Sequence, residues 1–249
     1  MKNLVLIANE HADSVRTVIC IPPAGTGPAF FQSWVGAPDR TSDLLVVQLP
    51  GRGSTLFAEP VASLPEAARL IALAVLANGR ALEHPVVLFG HSMGAWIAYE
   101  LALFLRSRHE VAMLAVSACP PPGSRISAAT GLTDLDDEEF LRTVQKRFGE
   151  IPELAAASPK VQGLILPAMR HDLAMCESYG PTATEAVPLA CPISSFAGTQ
   201  DDIVPVADAL AWSALTTGRH RGHCFPGGHL YLRDRGAEVL AAVESDATG

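Results

Sequence analysis

One stretch constrains this chain more than any other: Val86-Val87-Leu88-Phe89-Gly90-His91-Ser92-Met93-Gly94-Ala95-Trp96. An apolar run long enough for a buried strand enters Gly-His-Ser-Met-Gly. A helix-compatible segment carrying Trp96, Ile97, Leu101 and Leu105 follows. The G-x-S-x-G spacing predicts a sharp strand-to-helix turn that exposes the serine hydroxyl on a strained backbone. Gly90 and Gly94 are needed because strand and helix come too close there for side chains. The helix N-terminus behind the serine offers free N–H groups and a positive dipole end, which suit negative charge developing on an oxygen. A chance glycine-rich turn before a surface helix would lack the apolar strand and the apolar helix.

The alternation of short apolar runs with helical stretches extends along most of the chain. Strands are predicted at about 16–21, 44–49, 86–89, 111–117 and 192–197, with a more polar edge strand at about 219–225. Helices are predicted at about 30–35, 64–78, 206–215 and 231–243. This order implies the α/β class, a mostly parallel central sheet flanked by helices on both faces. Between about 124 and 188 no strand pattern is found. One helical stretch, from Asp134 to Phe148, has acids at its start and Lys146 and Arg147 at its end, as the helix dipole favours. Another runs from Pro159 to Tyr179, interrupted or kinked at Pro167. Its apolar residues need the body or a ligand to cover them. The expectation is one domain over 1–249 with a helical lid insertion at about 124–188. No strand or helix is predicted for residues 1–14.

Composition narrows the function classes. The hydrophobic fraction is 49% and the net charge is −8, so the chain can build a sizeable core and no basic stripe suggests nucleic acid. Five cysteines, Cys20, Cys119, Cys176, Cys191 and Cys224, form no C-x-x-C pair and sit mostly in apolar runs. That points to reduced thiols in the cytoplasm. The run from Leu4 to Ala8 is too short for a signal sequence or a membrane span. Gly25-Thr26-Gly27 after a strand invites a dinucleotide-binding reading, but Phe30 stands at the third glycine position and Pro28 interrupts the turn.

A serine hydroxyl needs a base to take its proton, and the base needs a carboxylate to orient it. In α/β-hydrolases these follow in the order serine, acid, histidine, each on a loop after a strand. Ser92, Asp201 and His229 occupy such loops here. Asp201 is chosen over Asp202 because it lies at the strand exit, and Asp202 is expected to cap the next turn. The backbone N–H groups of Met93 and of Ala24, in the loop after the first predicted strand, are the expected oxyanion hole. His91 should point away from the hydroxyl. His220 and His223 could suggest a metal pair, but no carboxylate partner is evident, so no metal is expected. Leu164, Leu166, Met169, Leu173 and Met175 of the lid are candidates for lining an acyl chamber.

With these residues in place the sequence resembles the type II, or editing, thioesterases of polyketide synthases and nonribosomal peptide synthetases. The resemblance rests on Cys20-Ile21-Pro22-Pro23-Ala24-Gly25, Gln48-Leu49-Pro50-Gly51-Arg52-Gly53, the Ser92 segment, Leu166-Pro167-Ala168-Met169-Arg170-His171-Asp172, Gly198-Thr199-Gln200-Asp201-Asp202 and Gly227-Gly228-His229-Leu230-Tyr231-Leu232. It departs at Pro23, where many relatives carry histidine. The resemblance implies an α/β-hydrolase fold with a helical lid, and hydrolysis of acyl groups from the phosphopantetheine arm of an acyl carrier protein or peptidyl carrier protein. Ser92, Asp201 and His229 fall on its catalytic positions, and Ala24 and Met93 on its oxyanion positions. No cofactor of its own, no membrane and no nucleic acid are implied, and a monomer is expected. Lys146, Arg147 and Lys160 could meet an acidic carrier protein. A fatty-acyl or product-releasing thioesterase, an esterase, an acyltransferase using the same serine and a silent binding module are the competing readings.

Overall fold

The computed structural model describes residues 4–79, 81, 83–124, 131, 132, 134–149, 158–182 and 186–248. Seven strands form one sheet: β1 (Val5–Asn9), β2 (Thr17–Ile21), β3 (Asp43–Gln48), β4 (Val86–His91), β5 (Val111–Ser117), β6 (Ile193–Gly198) and β7 (His220–Phe225). Their order across the sheet is β1-β3-β2-β4-β5-β6-β7. Every neighbouring pair is parallel except β1 with β3, which is antiparallel. The α/β class and the mostly parallel sheet therefore stand. β1, where no element was expected, adds a strand that the sequence reading lacked.

Five helices of three turns or more accompany the sheet among the described residues: α1 (Leu64–Leu76), α2 (Met93–Leu105), α3 (Asp137–Phe148), α4 (Pro159–Thr182) and α5 (Leu232–Asp246). Ser63 caps α1, its side chain accepting from the N–H of Glu66, and Asp136 caps α3 through the N–H of Glu139. Alternate strand residues face opposite sides, as the pleat requires. Val86 and Leu88 join the core under α1, α2 and α4, while Val87 and Phe89 join the core under Trp34, Leu232, Val239 and Val243. A strand buried on both faces reads as an unbroken apolar run, which is why β3 and β4 were visible in the sequence.

Two helical expectations need correction. α4 runs on through Pro167 without interruption. Leu166, Ala168 and Met169 around the proline are all buried, so packing overrides the local preference for a break. The stretch expected as one helix from Val206 to Leu215 is instead a short helix, Val206–Ala209, and a 3-10 turn, Ala211–Leu215, divided at Leu210. Within the segment expected to be a lid, residues 125–130, 133, 150–157 and 183–185 lie outside the described residues.

The topology decides where a site can form. From β2 the chain moves to β3 on one side, and from β4 to β5 on the other. The crevice at the C-terminal ends of β2 and β4 is therefore the switch point, where open α/β sheets bind ligands. The loop 22–27 leaves β2 there, and Ser92 follows β4.

Candidate active site

Ser92 has φ 53° and ψ −122°, a backbone that an ordinary L-residue avoids, held between β4 and α2. Both glycines of the elbow are compulsory. A side chain on Gly90 would land on the carbonyl of Gly94, and one on Gly94 would land on the carbonyl of Ile21. The Ser92 N–H donates to the carbonyl of Ser117 at 2.8 Å, fixing the elbow to β5.

Three side chains from three loops converge. Ser92 Oγ lies 3.0 Å from His229 Nε2, and His229 Nδ1 lies 2.8 Å from Asp201 Oδ2. The carboxylate can only accept, so His229 donates from Nδ1 and its Nε2 is left to accept the Ser92 hydroxyl proton. The other oxygen of Asp201 accepts the N–H groups of Ile203 (2.9 Å) and Val204 (3.0 Å). Burial raises the Asp201 pKa, but the hydrogen bond and charge of His229 and the two N–H donors outweigh it and hold the carboxyl below its usual range. Asp201 thus meets the histidine and also caps the turn that was expected of Asp202, whose residue is exposed.

His91 turns away from the Ser92 hydroxyl and supports the site from below. Its Nε2 lies 2.9 Å from the backbone oxygen of His229, and its Nδ1 lies 2.8 Å from Ser117 Oγ, which in turn meets the Tyr231 hydroxyl at 2.7 Å. The carbonyl can only accept, so His91 carries its proton on Nε2. Burial, and then the neighbouring His229, push its pKa down to about 3, so the ring stays neutral. The sequence indicates that His91 points away from the hydroxyl but gives it no role. The signal for its role is a pairing across 138 residues that no local motif encodes.

A cavity of about 40 Å³ opens beside Ser92 and His229. Pro23, Ala24 and Thr26 line one wall, and Val144, Phe148, Met169, Leu173, Cys176 and Leu230 supply most of the rest. The Phe148 ring stands edge-on to His229 with centroids 5.6 Å apart. Of the five lid candidates, Met169 and Leu173 line this chamber. Leu166 and Met175 are buried in the main core instead, and Leu164 is 46% exposed. Leu164 lines a second cavity of about 460 Å³, across Thr26, with Val161, Ile165 and Ala168. Helical spacing sorts them: 161, 164, 165 and 168 form one stripe of α4, and 169, 173 and 176 another. Phe148 and Cys176 were missed because single apolar residues in a helix do not announce which cavity they face.

The segments Pro22–Gly25, Gly51–Gly53 and Met169–Asp172, far apart in sequence, meet at one buried carboxylate. Asp172 Oδ2 accepts the Gly25 N–H at 2.8 Å, and Arg52 brings its two terminal nitrogens to the Asp172 oxygens at 2.6 and 2.7 Å. Arg52 also donates to the carbonyl of Thr26 at 3.2 Å. Met93 is the first residue of α2, directly after Ser92, and Ala24 lines the cavity beside the serine.

Three further histidines have hydrogen-bond partners away from Ser92. His171 Nε2 meets the carbonyl of Val61 at 2.6 Å. His223 Nε2 meets Asp246 Oδ2 at 2.7 Å, so it does have the carboxylate partner that the sequence did not reveal, and His220 Nε2 meets Ser195 Oγ at 2.9 Å. Among the described residues no cluster of three His, Cys, Asp or Glu side chains is arranged to hold a metal. No helix there is long and apolar enough to cross a membrane.

The sheet order, the elbow at the switch point and the three converging loops define an α/β-hydrolase. Within that class the chain belongs to the thioesterase family, whose domain model matches residues 16–246. It is 33% identical over 201 residues to the thioesterase TesA of Mycobacterium marinum, covering 80% of this chain and 78% of that protein. Among solved structures it is similar to the RedJ thioesterase from the prodiginine biosynthetic pathway of Streptomyces coelicolor. That match has a TM-score of 0.83 at 29% identity and covers 94% of this chain and 91% of the other. The type II thioesterase BorB from the borrelidin biosynthetic cluster matches with a TM-score of 0.81 at 29% identity, covering 98% of this chain and 96% of that one.

Proposed function

We propose that this chain is an editing thioesterase that removes acyl groups from the phosphopantetheine arm of an acyl or peptidyl carrier protein, with Ser92 as nucleophile, His229 as general base and Asp201 as its orienting acid. The observation that carries the reading is the unbroken hydrogen-bonded path from Ser92 through His229 to Asp201, at the floor of an apolar chamber. The biosynthetic-pathway origin of RedJ and BorB supports the choice of a carrier-bound substrate.

Ser92 Oγ attacks the thioester carbonyl as its proton moves to His229 Nε2. The oxygen becomes an anion facing the N–H groups of Ala24 and Met93. The C–S bond breaks, His229 returns the proton to the departing sulfur, and the acyl group stays on Ser92. A water then gives its proton to His229 and attacks the acyl carbon. The acid leaves, and the proton returns to Ser92. No step draws on a metal or cofactor. α3 and α4 act as the lid, and their chamber-facing residues select the acyl group. Lys146, Arg147 and Lys160, all exposed, meet the acidic carrier protein. The five cysteines are unpaired, which suits a reducing cytoplasm.

The test compares wild type and Ser92→Ala on a panel of acyl carrier proteins, the matching acyl-CoA thioesters and a simple ester. Intact-mass detection follows the acyl-enzyme. Ser92→Ala should form no adduct and lose turnover. Turnover by the variant at the wild-type rate removes Ser92 from the nucleophile role. Wild type that cleaves the ester but no carrier-bound thioester removes the carrier protein as substrate.

A further inference from the structure

The loop proposed to carry the Ala24 oxyanion donor is not held by its own turn alone. Its next residue, Gly25, gives its N–H to Asp172 on α4, and its Thr26 carbonyl takes a hydrogen bond from Arg52. Asp172 has no solvent exposure, and Arg52 is 8% exposed. A carboxylate is tolerated in such a place only with charge-assisted partners, and here two guanidinium nitrogens and one backbone N–H supply them. A buried ion pair is weak evidence for a stability role, because well-packed apolar residues commonly do as well. What an apolar pair cannot do is hold a peptide N–H in a fixed direction.

The contact between loop and helix is also tight. Gly25 has φ +71°, and a side chain there would meet Met169, with the Cβ atoms 2.7 Å apart. The peptide between Ala24 and Gly25 is therefore gripped from α4 by a hydrogen bond and by van der Waals contact. If α4 lifts, its Asp172 parts from both Arg52 nitrogens, and the loop must either travel with the helix or give up the Gly25 hydrogen bond as well.

Resting on the oxyanion role given above to Ala24, we propose that Asp172 and Arg52 are positioning residues that make the oxyanion hole part of the docked state of α4. The hole is complete only while α4 lies on the body. Lid and catalytic loop are one mechanical unit, and an enzyme with α4 displaced retains Ser92 and His229 but stabilises the tetrahedral oxyanion poorly.

The test uses the full chain with p-nitrophenyl acetate, an activated ester that needs no carrier protein. It adds the affinities of a short alkylboronic acid, which becomes tetrahedral on the serine, and of the planar carboxylate product. Asp172→Asn keeps the shape but disrupts the donor–acceptor pattern. We expect kcat to fall about a hundredfold, the scale of loss for a misplaced catalytic group, with KM nearly unchanged. Boronate affinity should fall in step with kcat while carboxylate affinity holds. Arg52→Lys, which keeps the charge and loses the two-pronged grip, should lose about tenfold in kcat, a fraction of that same scale. Should Asp172→Asn not fold, Arg52→Lys decides alone. A folded variant with a lowered Tm but wild-type kcat and boronate affinity overturns the proposal, as does a loss confined to KM. Wild type inert toward the ester contradicts the Ser92 reading itself. Wild type active on the ester but not on carrier-bound thioesters contradicts only the substrate.

Discussion

Replacing Asp201 by asparagine separates the two tasks of one carboxylate. Oδ1 accepts the N–H groups of Ile203 and Val204, and Oδ2 accepts from His229 Nδ1. An asparagine oxygen turned toward the backbone keeps both turn bonds and presents its NH₂ to the imidazole. The ring must then carry its proton on Nε2, facing Ser92, where it can no longer accept one. The same exchange in a serine protease triad lowers kcat about 10⁴-fold. At about 1.36 kcal/mol per factor of ten, that is roughly 5.4 kcal/mol in the barrier. The fold should lose far less, about 1.5–3 kcal/mol for one hydrogen bond to a charged group. The sign of the pH effect follows from the depressed pKa of Asp201. Its contribution is full above the unfolded carboxyl value of about 3.9 and disappears as pH falls through the lower folded value. The Tm gap between wild type and variant should therefore be constant near neutrality and close on acidification below about pH 4. The assay is initial-rate thiol release from a short acyl thioester, paired with thermal melts. Asp202→Asn, at an exposed residue, should stay within about 0.5 kcal/mol in stability and keep its kcat. Asp201→Asn retaining more than about a tenth of kcat, against the 10⁴-fold expected, or Asp202→Asn failing in its place, would refute the assignment.

Phe148→Ala removes the ring that stands against His229. The ratio of kcat/KM for octanoyl over acetyl thioesters should rise at least about tenfold, and an unchanged ratio means that Phe148 does not bound the acyl site. Asp246→Asn weakens the bonds to Ser194, Arg221 and His223 at the end of β6 remote from Asp201. It should cost about 1–3 kcal/mol and leave kcat untouched, so a melt without a shift contradicts it. Gly90→Ala pushes a methyl group onto the Gly94 carbonyl. The backbone cannot yield cheaply, so Tm should fall by about 6–12 °C for a loss of about 3 kcal/mol, and a melt at the wild-type temperature argues against close packing of the elbow.

Most of the architecture could be read from patterns a few residues long. β3 and β4 are apolar on both faces, and their neighbours share enough of that signature to give the parallel sheet. Ser92, Asp201 and His229 each follow a strand, so their convergence follows from strand order. What stayed hidden depends on partners distant in sequence. β1 is half-exposed and five residues long, and it becomes a strand only through β3. Pro167 signals a break that packing on either side suppresses. Arg52 and Asp172 are 120 residues apart and Asp246 is 23 from His223, so neither ion pair has a local signature. Leu164 and Met169 look alike as apolar helix residues, and only the helix rotation sends them to different cavities.

The two margins of the sheet are unlike, and this bears on how the protein survives crowding. An open strand edge is a template for another chain. β7 holds Arg221 and His223, polar side chains tied to Asp246 that give a newcomer strand no apolar face to cover. β1 carries no charge and shows Ile7 to solvent, but its five residues offer few hydrogen bonds to a newcomer. Behind it lies Leu44-Leu45-Val46-Val47 of β3, an uncharged β-prone run of the kind that seeds fibrils when bared. β1 contributes no residue to the chamber beside Ser92. Its service is to keep β3 from becoming an edge, so detachment of this one short strand would bare that run to another chain.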